Sequence, residues 1–91
     1  MTEPNSRIDY YRDQTIVALT SSFQEFDFGR TMDGHQLING GGGTISISYD
    51  GTNTDFELNT TEAVTYDFCR RSKIYLKGSG VSYRLRAWAT A

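Results

Sequence analysis

Four consecutive glycines, Gly40–Gly43, are the first feature that could do chemistry, because glycine-rich loops can cradle phosphate groups. A phosphate loop continues into Gly-Lys-Ser/Thr and a helix whose N-terminal amides hold the anion. Here Thr44 follows, and the residues after it alternate as in a strand. The dinucleotide-binding fingerprint fails for the same reason. We interpret the glycines as a flexible turn between two strands and expect no cofactor.

A second candidate is the segment that contains Asp50, Asn53 and Asp55, because hard cations such as calcium prefer clustered oxygen ligands. The spacing differs from that of the helix-flanked calcium loop, and the bidentate glutamate of that loop is missing. Asp50-Gly51 instead has the chemistry of a tight hairpin turn. We therefore expect a solvated turn and no metal site.

His35 and Cys69, each present once, are the remaining candidates for catalysis. Asp33 lies near His35 in the sequence, but no nucleophile elbow of the G-x-S-x-G type is present. We predict a histidine in a loop or at a strand edge. Cys69 ends an apolar alternation, which predicts a small buried hydrophobic side chain rather than a reactive thiolate. No catalytic residue is expected, and we predict that the protein is not an enzyme.

The residues with the strongest binding character belong to the last two predicted strands. Arg84, Arg86 and Trp88 alternate with apolar residues and are predicted to point outward, with Tyr75 and Lys77 on a strand expected to lie beside them. Arginine and aromatic residues are enriched at protein interfaces. Three interpretations remain open for this patch: a protein interface, an ordinary solvated face, or an aromatic platform for sugar rings.

The N-terminal residues 1–13 are polar and charged, and Tyr10 and Tyr11 are their large ring side chains. We interpret this segment as an extended arm that precedes a single domain over residues 14–91. Two alternatives remain open, namely a frayed terminus and an arm that docks on a partner through the two tyrosines.

Several segments have the two-residue period of a strand with one buried face, and none has a convincing helical period. The predicted inward side chains are Phe26, Phe28, Ile45, Ile47, Tyr49, Phe56, Leu58, Val64, Tyr66, Phe68, Ile74, Leu76, Val81, Tyr83, Leu85, Ala87 and Ala89. The pattern predicts an all-β fold of seven or eight short antiparallel strands. Such strands bury their apolar faces by forming a sandwich or a small barrel.

Composition narrows the classes of partner. The 91 residues have a formal net charge of −2, which argues against a protein that wraps nucleic acid. No run of apolar residues is long enough to span a membrane. A single cysteine excludes a disulfide within the chain. We therefore expect neither nucleic acid nor membrane as a partner.

The C-terminal half contains a series of short motifs. A strand that ends in Ser-aromatic-Asp-Gly is followed by a short Phe-x-Leu strand, a turn with Glu, a further strand, and a closing pair with Gly-x-Gly and Arg-x-x-x-Trp elements. The residues that form this series are Ile47–Gly51, Phe56, Leu58, Glu62, Tyr66–Phe68, Ile74–Leu76, Gly78, Gly80 and Arg84–Trp88. The series resembles that of small virion structural proteins of tailed bacteriophages.

The resemblance implies a jelly-roll-like β-sandwich that acts by binding, often as an oligomer. On this basis the sequence predicts a capsid decoration or cement protein on the surface of the virion, with the major capsid protein or another virion protein as its partner. A homo-oligomer, preferably a trimer, is expected. A tail, baseplate or fibre-attachment protein is the alternative within this class, and a carbohydrate-binding module is the alternative outside it.

Overall fold

The computed structural model describes residues 7–14, 18–66 and 69–90, of which 7–10 and 90 are described by their backbone alone. These ranges contain eight β-strands and no helix. The strands are β1 (Arg7–Asp13), β2 (Gln24–Met32), β3 (Gly34–Gly41), β4 (Ile45–Ser48), β5 (Phe56–Leu58), β6 (Ala63–Tyr66), β7 (Arg71–Lys77) and β8 (Ser82–Thr90).

The strands form two four-stranded antiparallel sheets, with the order β1-β8-β3-β6 in sheet 1 and β2-β7-β4-β5 in sheet 2. Strand β1 pairs with β8, β2 with β7, β3 with β6 and β4 with β5. Each pair encloses the next along the chain, as in one long hairpin, and successive pairs lie in alternate sheets. This arrangement is the jelly-roll topology. The prediction of an all-β, jelly-roll-like antiparallel sandwich is confirmed.

The core lies between the two sheets and is built by the inward faces that the two-residue period predicts. Among the predicted inward residues, those that the structure buries are Phe26, Phe28, Ile45, Ile47, Leu58, Ile74, Leu76, Val81, Tyr83, Leu85, Ala87 and Ala89. Tyr49, Phe56 and Val64 are partly buried against this cluster. Because strand residues alternate between faces, the local pattern was sufficient to assign them.

Other predicted positions differ from the structure. Tyr66 lies on the edge strand β6 and is 38% exposed, although the period predicts it inside. The same period turns Ser48 outward, between Ile47 and Tyr49, yet Ser48 is buried, and its hydroxyl oxygen accepts hydrogen bonds from the amides of Asp50 and Gly51. Cys69 is half-buried rather than buried. Phe68 lies outside the described residues.

The proposed arm over residues 1–13 requires a correction, because Arg7–Asp13 is strand β1 and pairs with β8 along its length. Residues 1–6 lie outside the described residues. The register shifts between Asp9 and Tyr11, which interrupts the two-residue period there. Tyr11 therefore turns inward, where its ring packs edge-on against Phe28 at 5.0 Å between centroids. Residues 7–13 thus belong to the sandwich.

The glycine run carries the chain from one sheet to the other. Strand β3 in sheet 1 ends at Gly41 and β4 in sheet 2 begins at Ile45, so the predicted turn is confirmed, although Gly40 and Gly41 belong to β3. Gly42 has a φ of +104°, and a Cβ there would lie 2.8 Å from the carbonyl oxygen of Gly80. The short crossing thus needs left-handed backbone and close approach, which only glycine provides.

The side chain of Asn39 holds the connection between β3 and β4 by hydrogen bonds from inside the sandwich. Its buried side chain donates two hydrogen bonds from Nδ2, to the carbonyl oxygens of Gly43 (2.8 Å) and Leu58 (3.0 Å). Its Oδ1 accepts a third from the amide of Gly41 at 2.8 Å. One side chain therefore ties the end of β3, the crossing and β5 together.

We expect Asn39→Ala to lower the free energy of unfolding by about 1–3 kcal/mol, because three backbone groups lose their partner in the interior. Urea denaturation followed by circular dichroism measures this loss. Gln36→Ala is the matched control, since Gln36 lies on the same strand and its amide bonds to the Thr65 hydroxyl in an exposed setting. Equal stability of the two variants would contradict the role given to Asn39.

Candidate functional site: the outer face of sheet 1

The side chains with the greatest potential for binding lie on the outer face of sheet 1. Strand β8 turns Tyr83, Leu85 and Ala87 inward, which turns Arg84 and Arg86 outward. Their exposure confirms the prediction for these two arginines. We use the name arginine face for Arg12, Gln14, Gln36, Ile38, Arg84 and Arg86, which together with Leu85 line a groove of about 150 Å³.

Strand register brings the members of the arginine face together. Arg86 stands opposite Arg12 on β1 and opposite Gln36 on β3, so these three side chains form a row across three strands. Arg84 stands opposite Ile38 in the next row. The row therefore brings two guanidinium groups to one face of a chain of net charge −2.

Guanidinium groups in this arrangement favour anionic ligands. Each presents a planar fork of donors that matches a carboxylate or a phosphate bidentately. The amide of Gln36 adds neutral hydrogen-bonding capacity, and half-buried Ile38 supplies apolar area between the polar groups. The surface suits an acidic partner that offers carboxylates around an apolar contact.

Trp88 was predicted to share this exposed surface, and that prediction is wrong. Its side chain is only 2% exposed. Strand β3 places Gly34 opposite Trp88, and a Cβ on Gly34 would lie 2.7 Å from the indole Nε1. The missing side chain leaves the space that the indole occupies, while the guanidinium of Arg86 lies 5.3 Å from the centre of the ring. Trp88 is a structural residue beside the face.

Tyr75 and Lys77 were predicted to lie beside the arginines, which is also wrong. Both belong to β7 in sheet 2, so they lie on the opposite outer face of the sandwich. The Tyr75 hydroxyl donates to a Glu25 carboxylate oxygen at 3.3 Å, and the Lys77 ammonium lies 4.6 Å from the centre of the Phe23 ring. In a jelly roll the segment after β7 crosses to the other sheet, whereas a hairpin would have kept β7 and β8 adjacent.

The two tyrosines proposed as partner contacts have different outcomes. The Tyr10 side chain lies outside the described residues. Tyr11 is half-buried against the core rather than displayed to a partner. Burial, and then the carboxylates of Asp13 and Asp27, raise the pKa of Tyr11 to about 12, so its hydroxyl stays protonated at neutral pH.

A second group of side chains lies between the sheets. Tyr49, Phe56 and Tyr66 were each predicted to point inward, but their assembly around His35 was not predicted. Four rings form a closed circuit of contacts, with centroid distances of 5.8 Å for His35–Tyr49, 6.2 Å for Tyr49–Phe56, 5.7 Å for Phe56–Tyr66 and 5.4 Å for Tyr66–His35. The Arg71 guanidinium lies 4.1 Å from the centre of the Tyr49 ring. We call this group, with Arg71, the aromatic cluster.

His35 is the buried member of the aromatic cluster, at 1% exposure, because β3 lies between β8 and β6 in sheet 1. The prediction of a loop or edge histidine is therefore wrong. Its Nε2 lies 3.0 Å from the Tyr49 hydroxyl, whereas its buried Nδ1 has no hydrogen-bond partner among the described residues. Burial, and then the charge of Arg71, lower the pKa of His35 from 6.5 to about 4. Neutral His35 is a structural group here.

The segment weighed as a calcium loop is held together by its own hydrogen bonds. Asp50 Oδ1 accepts from the Ser48 hydroxyl and from the amides of Thr52 and Asn53, all between 2.8 and 2.9 Å. The amides of Asn53 and Thr52 keep the pKa of Asp50 well below its usual range. The loop spans residues 49–55, so the turn is wider than a two-residue hairpin. Within the described ranges, no group of three or more His, Cys, Asp or Glu could hold a metal ion.

The fold and the site define the class of this protein. The described residues form an eight-stranded jelly roll with an arginine-lined groove on the outer face of sheet 1. Comparison of the chain with models of known families, with curated proteins and with solved structures gives no match. No helix in the part of the chain described is long and apolar enough to cross a membrane.

Proposed function

We propose that this protein is a structural component of a tailed-phage virion, a decoration protein that binds the assembled capsid through the arginine face. The observation that carries the proposal is the row of Arg12, Arg86 and Gln36, with Arg84 in the next row. The partner is the major capsid protein or another virion protein with a carboxylate-rich surface. The proposed location is the capsid surface.

Two further features support the proposal. The jelly-roll topology is widely used for viral capsid proteins, although the same fold also serves other functions. The resemblance in the C-terminal half covers β4 to β8 and includes Arg84 and Arg86. A partner that binds only the assembled shell stabilises that shell by mass action, so the protein needs a binding face and no catalytic group.

Electrostatic complementarity explains why the arginine face suits a crowded lattice. A local positive face on a chain of negative net charge orients the molecule as it approaches an acidic surface. The arginines are exposed, whereas the apolar Ile38, opposite Arg84, is half-buried. Close contact would therefore combine bidentate pairing with a small apolar area.

The structure does not contain the aromatic platform on which the carbohydrate-binding alternative depends. That alternative required Tyr75 and Trp88 to stack together on sugar rings, but Trp88 is buried and Tyr75 lies on the other sheet. A position on the tail, the baseplate or a fibre attachment would use the same arginine face. Binding to purified tails but not to capsids would favour that alternative.

The charge of the arginine face is tested by the double variant Arg84→Gln/Arg86→Gln in a sedimentation assay with assembled capsids that lack the protein. We expect capsid affinity to fall by about 10- to 100-fold, since arginines at the centre of an interface each contribute roughly 1 kcal/mol or more. Both side chains are exposed, but the Arg86 guanidinium lies 5.3 Å from the centre of the Trp88 ring, so urea denaturation of the variant accompanies the binding assay.

Lys73→Gln/Lys77→Gln is the matched control, because it removes the same charge from the outer face of sheet 2. We expect this variant to bind capsids as the unmodified protein does. Loss of binding in the lysine variant with retention in the arginine variant would assign docking to sheet 2 and overturn the proposed face. Failure of the unmodified protein to bind capsids or tails would overturn the function itself.

A further inference from the structure

Within the described part of the chain, strand β6 is an edge of sheet 1 without the usual protection against pairing with another strand. Its residues Ala63, Val64, Thr65 and Tyr66 carry no charge, and three of the four favour strands. Its pairing with β3 runs from Ala63 to Tyr66 without a register shift. Proteins usually protect an edge with charges, proline, a bulge or a very short strand. Strand β6 is short, at four residues, but these residues are regular and include no charge, proline or bulge.

The other three edges of the sandwich do carry such protection. Strand β1 is charged and has a register shift between Asp9 and Tyr11. Strand β2 is charged and irregular after Asp27. Strand β5 has three residues and carries Glu57 at its centre. The difference marks β6 as the edge that is open to a partner strand.

Backbone geometry identifies the groups that β6 offers. The amide of Asn39 donates to the carbonyl of Glu62 at 2.8 Å, while the amide of Glu62 donates to the carbonyl of Asn59, and the Asn39 bond fixes the phase of the ladder between β3 and β6. Hydrogen-bonded pairs alternate along an antiparallel ladder, so Val64 and Tyr66 point their backbone groups at β3. Ala63 and Thr65, between them, point their N–H and C=O groups away from β3, toward the open edge.

We propose that β6 pairs antiparallel with β6 of a second copy of this chain about a two-fold axis at Val64. Ala63 then stands opposite Thr65 of the partner subunit, and Thr65 opposite Ala63 of the partner subunit. Each of these two pairs forms two backbone hydrogen bonds, and the two Val64 side chains meet at the axis. The absence of charge on the described β6 residues makes the strand compatible with itself, as a two-fold contact requires.

The pairing joins two copies of sheet 1 into one continuous sheet. Both arginine faces then lie on the same side of it, although the inference does not depend on the proposed function. It also gives Tyr66, at 38% exposure, an additional neighbour. A four-residue contact buries less area than the roughly 1,200 Å² of a stable interface, so the dimer is weak in solution. On a lattice that holds two copies close together, the effective concentration is much higher.

Amide hydrogen exchange by NMR at two protein concentrations tests the pairing on the unmodified chain. We expect amide exchange at Ala63 and Thr65 to slow at least severalfold when the protein concentration rises from about 20 µM to about 1 mM, because the fraction of chains in the dimer increases. Exchange at Val64 and Tyr66, already bonded to β3, should not depend on concentration. Sedimentation should show a monomer–dimer equilibrium. Concentration-independent exchange at Ala63 and Thr65, or a trimer in sedimentation, overturns the proposal.

The variant Thr65→Pro removes the outward amide from β6 and should weaken dimerisation by at least about tenfold. Thr65→Ala is the matched control, because it removes the same side-chain hydrogen bond to Gln36 but keeps the amide. We expect Thr65→Ala to dimerise normally. A folded Thr65→Pro variant that still dimerises overturns the proposal, and if that variant does not fold, the exchange experiment decides alone.

Discussion

Replacement of Trp88 by alanine is expected to lower the free energy of unfolding by about 3–5 kcal/mol, because it removes a large buried side chain and leaves a cavity. Trp88 is 2% exposed and lies over Gly34, whose missing side chain leaves no atoms to fill the space. Urea denaturation followed by circular dichroism measures the loss. Tryptophan fluorescence is unsuitable, because Trp88 is the only tryptophan of the chain and the variant lacks it.

Gly34→Ala tests the same contact from the opposite strand. A Cβ at Gly34 would lie 2.5 Å from the Tyr66 carbonyl oxygen and 2.7 Å from the indole Nε1, so one of the strands must move. We expect a loss of about 1–3 kcal/mol from overpacking. Gly40→Ala is the control on β3, because its nearest contact is 3.2 Å. A Trp88→Ala variant of unchanged stability that failed to bind capsids would instead restore Trp88 to the interface.

The stability of the protein is expected to fall by about 3 kcal/mol between pH 6.5 and pH 4 through His35 alone. The unfolded chain takes up a proton at His35 as the pH falls through 6.5, whereas the folded chain holds that pKa at about 4. The unfolded state therefore binds more protons throughout this window, and acid favours it. Below the folded pKa both states are protonated, and the loss levels off.

His35→Gln isolates this effect, because glutamine does not titrate. Carboxylates titrate in both chains, so the difference between the two stability curves reports on His35. The charged and titratable groups that face it are Tyr49, Tyr66 and Arg71 of the aromatic cluster. We expect the stability of the unmodified protein relative to His35→Gln to decrease by about 3 kcal/mol from pH 7 to pH 4. Parallel curves over this range would contradict the buried neutral state of His35.

Two of the six residues of the arginine face could be predicted from the local pattern of a single strand. Alternation along β8 predicted that Arg84 and Arg86 point outward, and their exposure confirms it. Trp88 follows the same period, yet the prediction failed because exposure also depends on what the neighbouring strand presents. Arg12 joined the site only because β1 pairs with β8, in a segment where the register shift hid the strand period.

The alternating residues were sufficient to predict an all-β sandwich with most of its inward faces, because the two-residue period is a local property of extended backbone. Strand pairing depends on contacts between residues far apart in the chain, and the tertiary structure alone decided it. The jelly-roll pairing places Tyr75 and Lys77 on the face opposite Arg84. It also buries His35 within sheet 1 and places β6 at an edge of that sheet. Each of these outcomes depends on which strand became the neighbour, and alternation along one strand carries no information about its neighbours.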